Sequence, residues 1–218
     1  MLLLRPPGVY RANSDTALLI DVLREGRYAA GCRVLDIGTG TGALALASAR
    51  AGAASVTAVD LSLRSVAAAW INSRLHRLPL TVRRGDLFGP VTGQRFDLIL
   101  ANPPYVPAAT NVLRRHRITR CWDGGFDGRA LLDRICAEGP ALLAPAGTML
   151  IVHSAVCDEQ VTLSRLADAG LHAEVLSRCT LPFGPVMRVR AAMLEARGLV
   201  EPGQRDEELV VIGAQDAP

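Results

Sequence analysis

The side chains of this sequence best suited to chemistry are carboxylates set beside glycines. Leu35-Asp-Ile-Gly-Thr-Gly-Thr-Gly42 ends an apolar run and opens a helical pattern. Glycines there permit a tight turn and close approach of a ligand, and the helix start beyond offers free N–H groups to an anion. Gly38, Thr39, Gly40 and Gly42 are therefore candidate ligand-binding residues. Gly38-x-Gly40-x-x-Ala43 also fits the relaxed dinucleotide fingerprint, so the loop alone does not choose the nucleotide. Asp60-Leu61 ends the next apolar run, where a carboxylate can accept both hydroxyls of a ribose, as in NAD and S-adenosylmethionine (SAM) sites alike. Two further acids separate these. Asp36, before the first glycine, would repel a pyrophosphate but suits a ligand carrying an ammonium and a sulfonium. In Gly85-Asp-Leu87, Asp86 can accept from an adenine amino group while Leu87 packs on the ring. Singly, Asp86 reads as a surface turn acid; together these residues favour an adenosyl ligand.

A second candidate is Leu98-Ile-Leu-Ala-Asn-Pro-Pro-Tyr-Val-Pro107. Two consecutive prolines cannot continue a strand ladder, and each holds the residue before it extended. The result is a stiff exit from a buried strand, with the Asn102 side chain held where the strand stops. A plain stop signal explains Pro103 but leaves Pro104 and Tyr105 without a reason.

These residues need elements that gather them. Ser14 is a plausible N-cap for a helix through the apolar run Ala17 to Leu23. Strands are predicted at Arg33–Ile37, Ser55–Val59, Leu80–Arg83, Phe96–Ala101 and Thr148–Val152, with helices over Ala43–Arg50, Leu63–Leu75, Arg129–Leu143 and about Glu159–Ala169. That alternation means βαβ units and an α/β, doubly wound, mostly parallel sheet. Leu171–Ser177 and Glu207–Ile212 complete seven strands. No full crossover separates them, only a short amphipathic piece from Met187 to Ala196, which predicts an antiparallel C-terminal hairpin at one sheet edge. One domain over 1–218 is expected, with an N-terminal segment and helix in 1–30 and an insertion at 180–205.

Composition narrows the classes further. Half of the 218 residues are hydrophobic, enough for a sizeable core, and no apolar run is long enough to span a bilayer. The start shows no signal-peptide pattern. Five scattered cysteines without a Cys-x-x-Cys pair fit reduced thiols, and four isolated histidines show no ligand spacing, so no metal site is expected. The net charge is only +3, and every basic residue is arginine. One cluster, Arg114 to Arg120, reads as a solvated face or a substrate contact.

A strand ending in Asn-Pro-Pro-Tyr, fourth in a SAM-binding sheet, resembles the amino-methyltransferases, which methylate planar exocyclic nitrogens. Val9 to Thr16, the glycine loop, Asn-Pro-Pro-Tyr-Val and Cys121-Trp-Asp-Gly-Gly-Phe-Asp-Gly-Arg to Arg134 occur in the order of the HemK-type glutamine methyltransferases. The chain is most similar to their compact archaeal and eukaryotic branch. The resemblance implies a class I methyltransferase, Rossmann-like, that uses S-adenosyl-L-methionine and leaves S-adenosylhomocysteine. It implies that Tyr10, Thr16, Thr39, Leu61 and Asn102 help to hold SAM, while Asn102, Pro103, Pro104 and Tyr105 hold a glutamine amide of a class I release factor. A cytoplasmic protein, sometimes with a small zinc-binding activator subunit, goes with that branch. Ser14-Asp15-Thr16 stands where the family usually has Glu-Asp-Thr, and Thr180 to Gln204 is longer than the family suggests.

Three other readings share some of these residues. Asn-Pro-Pro-Tyr serves an adenine or guanine amino group in RNA or DNA as well as an amide. A nucleotide-binding module without turnover would not need the intact motif, and a dehydrogenase is opposed by Asp36.

Overall fold

The structure, a computed structural model, describes residues 1–111 and 121–216. Alanine-rich and leucine-rich segments with high helical propensity alternate with β-branched runs. They form α1 (Ser14–Glu25), β1 (Arg33–Ile37), α2 (Ala43–Arg50), β2 (Ser55–Asp60), α3 (Leu63–Leu75), β3 (Thr81–Arg84) and β4 (Phe96–Ala101). Further along the chain come α4 (Leu132–Glu138), β5 (Leu143–Ser154), α5 (Glu159–Asp168), β6 (Leu171–Pro182), α6 (Pro185–Ala196) and β7 (Asp206–Asp216).

The seven strands form one sheet in the order β3-β2-β1-β4-β5-β7-β6. All neighbours are parallel except β7, which runs antiparallel to both β5 and β6. Successive residues of the strands point to opposite faces. Val34, Leu98, Leu100, Leu150 and Val211 meet α1 and α2 in one buried cluster. Leu35, Ile99, Met149, Ile151 and Ile212 meet α4 and α5 in the other. The expected antiparallel hairpin is β6–β7, with β7 tucked inside and β6 at the edge. The sequence explains that order. Leu209 to Ala214 is buried along its whole length, as an interior strand must be, while β6 alternates with exposed polar residues such as Glu174 and Arg178.

Several boundaries differ from expectation. Asn13, not Ser14, is the N-cap of α1, because Ser14 already has helical backbone. The helix expected over Arg129–Leu143 is shorter, since Gly139-Pro140 ends α4 and starts a 3-10 turn over Pro140–Leu142. β5 then begins at Leu143 rather than Thr148, and β6 reaches Pro182 past an irregularity between Val175 and Ser177.

Candidate active site

Strand register builds the site. Ile37 pairs with Val59 on one side and with Ala101 on the other, so Gly38, Asp60 and Asn102 follow side by side. Asp60 pairs with Arg84, which places Gly85-Asp86 next in the row. Four strands thus deliver their first loop residues to the carboxyl edge of the sheet. The chain order reverses there between β1 and β4, which is where open α/β sheets leave a crevice.

The glycine loop is pinned to β2. Gly38 and Thr39 N–H both donate to the Val59 carbonyl at 2.9 and 3.0 Å. Asp60 takes Gly40 N–H at 3.0 Å on one oxygen and Ser62 N–H at 2.7 Å on the other, which fixes the plane of its carboxylate. Gly38 has φ +73°, and open space stands where a Cβ would be. Any side chain would intrude on that space from a strained backbone.

A cavity of about 370 Å³ opens above this edge. Gly38, Gly40, Asp60, Leu61, Asp86 and Leu87 line it, with Tyr10, Asn102 and Pro104. A smaller space of about 20 Å³ adjoins it, walled by Thr16 and Thr39 and shared with Tyr10 and Asn102. Of the expected residues, Asp36, Gly42, Pro103 and Tyr105 line neither space. Gly42 caps α2 and lies against Ala69. Asp36 is fully buried beneath the loop. Its Oδ2 accepts Thr39 Oγ1–H at 2.5 Å and Ala45 N–H at 3.1 Å, and its Oδ1 is buried with no hydrogen-bond partner among the described residues. Burial pushes this carboxyl up to about 7, against those two hydrogen bonds, which pull it down.

Asn102 is oriented by its amide group. Nδ2 donates to Thr16 Oγ1 at 3.1 Å, so Oδ1 is the atom left to accept from a ligand. Tyr105 turns its hydroxyl to Asp15 Oδ2 at 3.1 Å, and Tyr10 donates to the same oxygen at 2.6 Å. Burial and the Asp15 charge both push the two phenols above their ordinary range, so they stay neutral donors. Asp15, only 4% exposed, therefore ties the cavity-lining Tyr10 to the motif's Tyr105. Composition and spacing did not single it out, although the Ser14-Asp15-Thr16 triplet was the available signal.

The Cys121 to Arg134 segment forms the far wall. Val106 N–H donates to the Trp122 carbonyl at 2.7 Å, Gly124 N–H to Val106 at 2.9 Å, and Ala108 N–H to Gly125 at 2.7 Å. This pairing brings Asn111, Cys121 and Asp123 to the cavity. Arg134, missed in the sequence because it lies far along the chain, meets Asp86 at 3.2 Å across the rim. Arg129 is buried and holds the segment to the start of α5 through the Cys157 and Asp158 carbonyls and Thr162 Oγ1. The arginine cluster from Arg114 to Arg120 lies outside the described residues. Among the described residues no group of His, Cys, Asp and Glu is arranged to hold a metal ion. No helix among them is long and apolar enough to cross a membrane.

The strand order, the antiparallel seventh strand and the crevice at the carboxyl edge are those of the class I SAM-dependent methyltransferase fold. The cavity suits the cofactor: its glycine floor stays open, a fixed carboxylate closes β2, and beneath the loop a buried oxygen of Asp36 lacks a partner among the described residues. Residues 2–118 match the family model described as methyltransferase small domain, and the chain belongs to that family. A Methanocaldococcus jannaschii protein named "Putative protein N5-glutamine methyltransferase" is 35% identical over 185 residues, covering 85% of this chain and 92% of its own. A Geobacter sulfurreducens release factor glutamine methyltransferase is 36% identical over 66% of this chain, which spans about half (53%) of that relative. These matches bear out the resemblance to glutamine methyltransferases. Among solved structures, the E. cuniculi Mtq2–Trm112 complex, described as methylating the eRF1 termination factor, aligns with TM-score 0.67 at 21% identity, covering 96% of this chain and 99% of that one. A T. thermophilus 16S rRNA guanine methyltransferase bound to AdoMet and guanosine gives TM-score 0.64 at 21% identity over 98% of this chain and 46% of its own. At such identity both likenesses concern the fold.

Proposed function

We propose that this protein methylates the side-chain amide nitrogen N5 of a protein glutamine, and that the glutamine belongs to a class I release factor. The observation that carries this reading is the fixed amide of Asn102, which lines both the cavity and the smaller space beside it with its Oδ1 left to accept. An amide nitrogen is a poor nucleophile because its lone pair is delocalised into the carbonyl. SAM supplies a methyl on a positively charged sulfur, which leaves as a neutral thioether. The chain's own task is to hold the nitrogen in line and free its lone pair. Asn102 Oδ1 accepts one amide hydrogen, and the Pro103 carbonyl, held stiffly by the ring that follows, accepts the other. Both acceptors draw the N–H bonds out of the amide plane. Pro104 covers the acceptor from one side, while Tyr105 is anchored by Asp15 and backs the motif. The methylated nitrogen is cationic at first and strongly acidic, so one of its two hydrogens passes to water without a strong base, and positioning carries much of the rate.

On the cofactor side, Asp60 would hold the ribose, Asp86 and Leu87 the adenine, and Tyr10 with the glycine loop the remainder. The protein relatives support a release factor as substrate, and the Mtq2–Trm112 complex supports a small activator subunit as partner. A translation factor as substrate goes with the cytoplasm. Labelled SAM added to lysate fractions tests the class of acceptor. Label should survive nuclease and disappear with protease; label removed by nuclease would overturn the proposal in favour of an RNA or DNA base.

A further inference from the structure

Residues 183–205, which join β6 to β7, are not needed to close an antiparallel hairpin, since two residues suffice. They carry α6, and α6 packs back toward the catalytic motif. Met187, Ala191 and Leu194 share one face and bury with Phe183, Val200 and the partly buried Val106, the residue immediately after Tyr105. The adjoining face carries Arg190. Its Nη1 donates to the Pro107 carbonyl at 2.8 Å, and its Nη2 meets Asp123 Oδ1 at 2.6 Å. One guanidinium thus joins the two segments that form the acceptor-side wall: the one leaving Asn-Pro-Pro-Tyr and the one carrying Asp123, which lines the cavity. The pair is partly shielded, with side chains 20% and 19% exposed. Seven residues on, Arg197 repeats the device. Its Nη1 reaches the Ala108 and Phe126 carbonyls at 2.9 and 3.1 Å, and its guanidinium lies 3.8 Å over the Phe126 ring.

We infer that α6 is a clamp for the acceptor-side wall and that Arg190 is its positioning residue, acting on the acceptor and not on SAM. This rests on the proposed role of Asn102 to Tyr105 in holding the acceptor. The planar fork of arginine meets two acceptors in fixed directions, which a lysine ammonium on a flexible stem cannot reproduce. Arg190 contacts neither the glycine loop nor Asp60, so its effect should divide between the two substrates.

The test compares wild type with Arg190→Met, Arg190→Lys and Asp123→Asn. SAM affinity is measured by calorimetry, kcat and KM by acceptor titration, and Val106, Ala108 and Gly124 amides by hydrogen exchange. Losing a charge-assisted contact should lower kcat/KM for the acceptor about 10- to 100-fold in Arg190→Met, chiefly through KM. SAM affinity should stay close to wild type, exchange at the three amides should quicken, and Arg190→Lys should recover part of both effects. Equal losses for SAM and acceptor, or unchanged exchange, would overturn the inference. If Arg190→Met does not fold, Arg190→Lys should show the same pattern in smaller measure, and exchange in Asp123→Asn, which keeps the arginine but removes its charged partner, should quicken at the same amides. If wild type methylates no release factor, the proposed substrate fails, and the exchange and calorimetry measurements still decide whether the clamp exists.

Discussion

Asp36, last but one in β1, and Asp60, last in the neighbouring β2, meet opposite environments. Asp60 is half-exposed at the cavity and held by two backbone N–H groups. Asp36 is sealed under the loop, and burial raises its pKa to about 7. A cation bound nearby favours its charged form, so a ligand carrying an ammonium and a sulfonium should bind the deprotonated protein more tightly. SAM affinity should therefore rise with pH up to about 7, by at most about tenfold per pH unit for one released proton, and then level off. Calorimetry between pH 5.5 and 8, in buffers of different ionisation enthalpy, should show that proton release; Asp36→Asn should abolish it, and a flat profile in wild type would place Asp36 away from the ligand's charge. Asn102 belongs to the same scale. Asn102→Ala should leave SAM affinity within a few-fold and lower kcat by about 10²–10³. Thr16→Val removes one neutral hydrogen bond from the Asn102 amide and should lower kcat by about 2- to 12-fold, corresponding to 0.5–1.5 kcal/mol. Steady-state kinetics alongside calorimetry would separate both from a loss of cofactor binding. The acids and the motif were legible because each carries chemistry at a strand end. Asp15 was not, because its role depends on two tyrosines, Tyr10 and Tyr105, that meet only in the folded chain.

At the scale of elements, the segment after Asn-Pro-Pro-Tyr is held by what lies far from it in sequence. Gly128 has φ +83°, and a Cβ there would collide with the Tyr105 carbonyl and the Cys157 sulfur. Arg129 beside it supplies donors to the Cys157 and Asp158 carbonyls and to Thr162. Arg129→Met would leave these acceptors without that donor, at a cost of at least about 1–3 kcal/mol. Urea unfolding should show that loss; an unchanged midpoint would mean that water or neighbours satisfy the site as well as the guanidinium does. The strands and most helices were legible because apolar period and turn residues are local signals. Two errors share a cause: Gly139-Pro140 cut short a helix whose apolar pattern continued, and the true start of β5 at Leu143 was hidden by Pro145 and Gly147. The role of residues 183–205 was unreadable, because the partners of Arg190 and Arg197 lie just past Asn-Pro-Pro-Tyr and in the Asp123–Phe126 segment, far from α6 in sequence.

At the scale of the molecule, one sheet does two jobs. Its faces are closed by two apolar clusters, which leaves the carboxyl edge as the place where polar loop residues can gather without burying unpaired groups. The parallel half, β3-β2-β1-β4, delivers the residues that line the cavity, and the antiparallel hairpin β6–β7 brings α6 against Val106, just past Asn-Pro-Pro-Tyr. The acceptor itself is the least local property of all, since an amide and an exocyclic base nitrogen present similar planar N–H₂ groups to Asn102 and Pro103. The most direct measurement is therefore mass-spectrometric mapping of the methyl group after reaction of the protein and SAM with a recombinant class I release factor, supplied with its activator subunit where one is required. A parallel reaction uses a release factor whose Gly-Gly-Gln glutamine is replaced by alanine, with ribosomal RNA and duplex DNA as further acceptors. The account predicts a single methyl on that glutamine, absent from the alanine variant and from both nucleic acids. Methylation that persists on the alanine variant, or that is found only on RNA or DNA, would contradict it.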